Sequence, residues 1–171
     1  MSLEELARLL RVLRLLLPGL VTYIAVMLTV MPLGIPFIAV VTPFLSLMAV
    51  YYWSIYRPDL LPPVAVFTLG ILQDILTGGP VGLLALVLLL VQASAVSQRR
   101  ILLGQAFSVD WAGLLLIAAG AGAVSWMLAC AYYFALVPPI PFVVQALITA
   151  ALYPLGSWLF NRVARLTIGA E

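Results

Sequence analysis

Six long apolar stretches follow one another along the chain, from about Leu15 to Met31, Gly34 to Trp53, Leu60 to Leu76, Val81 to Val96, Trp111 to Leu136 and Pro141 to Asn161. A helix needs about 20 apolar residues to cross the hydrocarbon core of a bilayer. The stretches approach that length, and the pattern predicts six membrane-spanning helices. The breaks between them carry turn chemistry: Pro32-Leu33-Gly34, Arg57-Pro58-Asp59, Gly78-Gly79-Pro80 and Pro138-Pro139. The third stretch is the shortest, with Pro62 and Pro63 near its start. Proline is tolerated in a first helical turn, where N–H groups lack intrahelical partners. Asp59 is placed to cap that end. A re-entrant third stretch would leave five crossings and put the termini on opposite faces.

Charge decides between the two counts. With six crossings, both termini and the 2–3 and 4–5 connections share one side. That side then receives Arg8, Arg11, Arg14, Arg57, Arg99, Arg100, Arg162 and Arg165, which are all the basic residues of the chain. The three opposite connections, around Pro32, Gly78 and Pro138, carry no charge. The positive-inside rule makes the arginine side cytoplasmic, and five crossings would scatter the arginines over both sides. Residues 3–17 are amphipathic, with Leu3, Leu6, Leu10, Leu13 and Leu17 on one face and Arg8, Arg11 and Arg14 on another. Glu4 and Arg8 form a favourable i,i+4 pair. A short interfacial helix or a cytoplasmic extension of the first span is expected there, with docking of a cytoplasmic partner as the alternative. Glu4, Glu5 and the long apolar stretch argue against a cleaved signal. The expected organisation is one membrane domain over 1–171: an amphipathic segment at 1–17, a bundle at about 15–161 and a cytoplasmic tail at 162–171.

Composition agrees. Hydrophobic residues make up 65% of the chain and charged residues 8%, where a soluble domain is about half apolar and about a quarter charged. A soluble fold, a disordered chain, a basic nucleic-acid binder and a disulfide-stapled domain are all excluded. There is no His and no Lys, and the one Cys, Cys130, lies in an apolar run, so no thiol metal site is implied. General acid–base chemistry needs positioned titratable partners. Between the termini the only acids are Asp59, Asp74 and Asp110. Asp59 and Asp110 are expected at the cytoplasmic interface and Asp74 at the other, so no carboxylate pair converges. The reading is of a nonenzymatic protein with no cofactor and no metal.

Asp74 is the main candidate for a function. It is the one acid placed within a predicted span, where an ionisable group is costly. Gly70 precedes it by one helical turn and lets another backbone approach, and Gln73 is an adjacent polar group. The C-terminal end of its own helix is a poor place for an anion, whereas the start of the fourth helix is a good one. Thr77-Gly78-Gly79-Pro80 reads as a tight turn with Pro80 at the first helical position. Asp74 is expected to accept hydrogen bonds from the turn or from the N–H groups of Val81 and Gly82, locking spans three and four together. Contact with a partner protein and binding of a ligand or proton are the alternatives. The fifth span carries a small-residue patch, Ala118 to Ala123, in which Ala118 and Gly122, Ala119 and Ala123, and Ala121 and Ser125 are spaced for close helix approach. It serves either internal packing or the docking of a partner's transmembrane helix. Trp53, Trp111, Trp126 and Trp158, with Tyr51, Tyr52, Tyr56, Tyr132 and Tyr133, fit aromatic belts at the interfaces. Pro36, Pro43 and Pro154 are expected to kink helices, and Asp110, beside Ser108, to cap the fifth span.

One segment goes beyond pattern. Tyr51-Tyr52-Trp53-Ser54-Ile55-Tyr56-Arg57-Pro58-Asp59 is followed by Phe67-Thr68-Leu69-Gly70-Ile71-Leu72-Gln73-Asp74-Ile75-Leu76-Thr77-Gly78-Gly79-Pro80-Val81-Gly82. This resembles the rod shape-determining protein MreD family: an aromatic-rich second span, an Arg-Pro connection, a Phe-x-x-Gly run ending in Asp, a Gly-containing turn and a further Gly. Gly70, Asp74, Gly78 and Gly82 match that motif, which covers roughly 51–82, and Gln73 stands where the family would carry a more apolar residue. Chain length and a last helix with Pro154, Arg162 and Arg165 agree with it. The resemblance implies an all-α membrane fold of six transmembrane helices, itself similar to the substrate-binding subunits of energy-coupling-factor transporters. It implies a noncatalytic scaffold or regulatory subunit of the bacterial elongation complex in the cytoplasmic membrane. MreC would be bound directly, and MreB, RodA and a class B penicillin-binding protein reached through the complex. The alternative is a vitamin-binding transporter subunit, which would need a pocket and ordered loops on the external side. A small proton-coupled transporter would have to work with one isolated acid and no His.

Overall fold

The computed structural model describes residues 18–30 and 43–168, and all regular structure there is helical. Six α-helices occur among the described residues: α1 (Pro18–Val30), α2 (Leu45–Tyr56), α3 (Pro63–Thr77), α4 (Leu83–Leu102), α5 (Phe107–Tyr133) and α6 (Ile140–Ile168). A short 3-10 turn, Pro58–Leu60, joins α2 to α3. Three helices, α4, α5 and α6, are long and apolar enough to cross a membrane, and α1 and α3 are shorter apolar helices. The 15 residues of α3 rise about 22 Å, against a hydrocarbon core of about 30 Å. The chain is a helical membrane protein. The amphipathic segment at 1–17, the break at Pro32, Pro36 and residues 169–171 lie outside the described residues.

Helix α2 is the centre of the packing. Every residue from Ser46 to Ile55 is buried, and the helix packs on α4, α6 and α5. A helix that is apolar all round belongs inside other helices. This corrects the belt reading for Tyr51, Tyr52 and Trp53, which are core residues at 0%, 5% and 0% exposure. Tyr52 and Trp53 pack against Phe160 of α6. Both ends of α2 are tied by side chains from other helices. The Phe44 N–H donates to Thr149 Oγ1 of α6 at 2.9 Å. At the other end Arg99 Nε donates to the Ile55 carbonyl at 2.7 Å, a cation at the negative end of the helix dipole.

Several helix ends differ from those expected. Helix α4 runs through Arg99 and Arg100 to Leu102 rather than stopping near Val96. Helix α6 continues through Arg162 and Arg165, so the expected tail begins as helix. Arginine stems lie along apolar surface while their heads reach water, so such helices need not end where the hydrocarbon does. Helix α5 begins at Phe107, four residues before Trp111, and ends at Tyr133. Asp59 sits in the exposed 3-10 turn, and α3 has Pro62 at its N-cap with no side-chain bond. The entry to α3 is held instead by Gln92 of α4, whose Nε2 donates to the Leu61 carbonyl at 2.7 Å. Pro43 precedes α2 rather than lying inside it. Pro154 does lie inside α6. A helical proline deprives the carbonyl four residues earlier of its donor, which here is Ala150. Trp111 Nε1 of α5 donates to that carbonyl at 2.8 Å, so the indole supplies the bond that the proline removed.

Candidate functional site

The connection between α3 and α4 is built around one buried carboxylate. Asp74, 1% exposed, lies in the last turn of α3. Its Oδ2 accepts the Gly82 N–H at 2.7 Å and the Ala85 N–H at 3.4 Å. Its Oδ1 accepts the Leu84 N–H at 3.0 Å. The first N–H groups of a helix have no intrahelical acceptor, so Asp74 caps α4 from across the turn. The expected bond to Gly82 is present, and Leu84 and Ala85 take the place expected for Val81. The carboxylate stands off the negative end of α3 and on the positive end of α4, where an anion is stabilised.

The surrounding glycines make this geometry possible. Gly78 ends α3 at φ 69°, a left-handed conformation that glycine adopts without steric cost. The Gly78 and Gly79 N–H groups donate back to the Ile75 and Asp74 carbonyls. Gly82, at φ 100°, is the N-cap of α4. Pro80 is therefore not at the first helical position. It opens the turn that precedes α4, with its carbonyl accepting the Leu83 N–H at 3.2 Å. One turn below Asp74, a Cβ on Gly70 would fall 2.3 Å from the Cα of Ala85. The helix backbones are in contact there, and only a glycine brings the carboxylate within reach of α4. Gln73 is buried beside Asp74 with its Oε1 unbonded among the described residues.

The small-residue patch of α5 divides between two faces. Ala118 and Ala121 are buried in the core. Gly122 packs on α6, where a Cβ would sit 3.4 Å from the Phe142 carbonyl oxygen. Ala119 and Ala123 are exposed. With Gly122, Leu115, Trp126, Phe142 and Ala146 they line an apolar groove of about 270 Å³ between α5 and α6. Trp126 Nε1 donates to the Val137 carbonyl, and Val137 N–H to Cys130 Sγ. These bonds close the α5–α6 connection and occupy the one thiol.

Asp110 does not cap α5 as expected: Ala106 is the N-cap, without a side-chain bond, and Asp110 is one turn inside. It is 4% exposed. The Tyr153 hydroxyl of α6 donates to Oδ2 at 2.6 Å. The Tyr51 hydroxyl of α2 lies 2.9 Å from the Asp110 main-chain oxygen and 3.1 Å from Oδ1. One carboxylate thus ties α2, α5 and α6 together. The available signal was the placement of Tyr51 and Tyr153 inside apolar runs, because a buried phenol needs a hydrogen-bond partner. No group of three His, Cys, Asp or Glu side chains able to hold a metal occurs among the described residues. Compared with protein-family models, curated proteins and solved structures, the chain matches none.

Proposed function

We propose that this chain is a noncatalytic scaffold or regulatory subunit of the bacterial elongation complex, the machinery of side-wall peptidoglycan synthesis and cell shape. In this reading all six helices cross the cytoplasmic membrane, both termini are cytoplasmic, and MreC is bound directly. The observation that carries the reading is that the four residues matching the MreD motif form one physical unit. Asp74 caps α4, Gly70 lets the two backbones touch, and Gly78 and Gly82 supply the two left-handed turns. A motif that specifies a hairpin suits a protein whose product is a shape. Asp74 is engaged by backbone amides and Asp110 by tyrosine hydroxyls, at opposite ends of α4, which supports a noncatalytic role.

The α5–α6 groove is the face offered to MreC. Association of helices in lipid relies on close packing at small residues, and Ala119 and Ala123 leave the room for it. A photo-crosslinking residue at Ala123 tests this in cells. The reading expects a crosslink to the single span of MreC from Ala123 and none from Leu86, an exposed position on α4. Crosslinks from Leu86 alone would move the interface to α4, and adducts to transporter subunits would replace the reading altogether.

A further inference from the structure

The groove beside Asp110 is bipolar. A cavity of about 400 Å³ is lined by Asp110 together with Tyr52, Tyr56, Phe107, Trp158 and Asn161. A second cavity of about 300 Å³ is lined by Trp158, Asn161, Arg162 and Arg165. The two share Trp158 and Asn161, so they adjoin along one side of α6. One end presents a carboxylate among aromatic rings, and the other presents two guanidinium groups.

We propose that this groove binds an amine-bearing zwitterionic phospholipid of the phosphatidylethanolamine type, its ammonium at Asp110 and its phosphate at Arg162 and Arg165. An ionised carboxylate offers about four acceptor positions. The Tyr51 and Tyr153 hydroxyls, with Tyr56 as a third phenol partner, fill only part of that capacity, and all three donors are neutral. No cationic side chain pairs with Asp110 among the described residues. Aromatic faces around a carboxylate recognise a cation, through ring quadrupoles and direct N–H donation together. At the other end the Arg162 guanidinium sits 5.7 Å from the Trp158 ring centroid, which orients it, and guanidinium forks match phosphate oxygens. An anionic lipid satisfies only the arginine end. A choline lipid has no N–H to give Asp110.

The full chain in nanodiscs of equal parts phosphatidylethanolamine, phosphatidylglycerol and phosphatidylcholine, released gently and read by native mass spectrometry, tests this. Phosphatidylethanolamine should be retained over phosphatidylcholine by about tenfold, the worth of one charge-assisted hydrogen bond. Asp110→Asn should bring the two lipids level while leaving phosphatidylglycerol unchanged. Arg162 and Arg165 are exposed, so the Arg162→Gln, Arg165→Gln double variant should fold and should retain less of both phosphatidylethanolamine and phosphatidylglycerol. The wild-type comparison stands even where Asp110→Asn does not fold. Equal retention of the ethanolamine and choline lipids would overturn the ammonium site. Preferential phosphatidylglycerol, unaffected by Asp110→Asn, would reduce the groove to a basic patch. Displacement of the lipid by soluble glycerophosphoethanolamine at equal concentration would overturn the lipid as its source.

Discussion

A single carboxylate holds two helices through three backbone amides, and its removal should be felt well beyond its own side chain. Hydrogen bonds to a charged group contribute about 1.5–3 kcal/mol each in net stability. Asp74→Ala leaves three α4 N–H groups uncapped, so a loss of at least about 3 kcal/mol is expected, seen as a lower melting temperature in detergent and lower abundance in cells. Unchanged abundance, melting and cell shape would remove Asp74 from the account. Gly70→Ala should cost about 1–3 kcal/mol, the usual range for overpacking, by a different route, since its Cβ would meet the Ala85 backbone at 2.3 Å rather than a movable side chain. Asp74 was legible because it is an ionisable residue in an apolar run followed by Thr77-Gly78-Gly79-Pro80. Asp110 was not, because Gly104-Gln105-Ala106 resembles a loop that continues past Ser108. Tyr51 and Tyr153, which bond to it, come from 59 and 43 positions away along the chain, a pairing that only packing creates.

At the scale of the helix, α6 shows how a local defect is repaired by a neighbour. Trp111 donates to the Ala150 carbonyl that Pro154 leaves without a helical donor. Trp111→Phe should therefore cost about 1–3 kcal/mol, the penalty for an unsatisfied buried acceptor. In a Pro154→Ala background residue 154 regains its N–H and the same substitution should cost much less. A double-mutant cycle on melting temperature reads this coupling, and additive effects would refute it. Helix existence was readable from apolar length, since helices occur in five of the six stretches at close to the expected places and α2 fills the end of the other. Helix ends were not readable, because Arg99, Arg100, Arg162 and Arg165 continue helices that hydropathy alone would stop. The central place of α2 was also hidden. Tyr51-Tyr52-Trp53 has the composition of an interfacial belt, and burial from all sides is decided by α4, α5 and α6.

For the whole molecule, the proposed six crossings would place every arginine on one side, and the connections can be tested directly. In a Cys130→Ala background, Asp59→Cys and Gln105→Cys should react with an impermeant thiol reagent only from the cytoplasmic face. Val81→Cys and Leu136→Cys, both at exposed positions, should react only from the opposite face. Asp59 and Val81 labelling from the same side would make α3 re-entrant and leave five crossings. The proposed role as a partner-binding subunit is tested most directly by purifying the tagged protein in mild detergent and reading its proteins and small molecules by mass spectrometry. The account predicts near-stoichiometric recovery of a single-span MreC and no retained vitamin. A retained vitamin-like molecule, with transporter ATPase subunits in place of MreC, would contradict it.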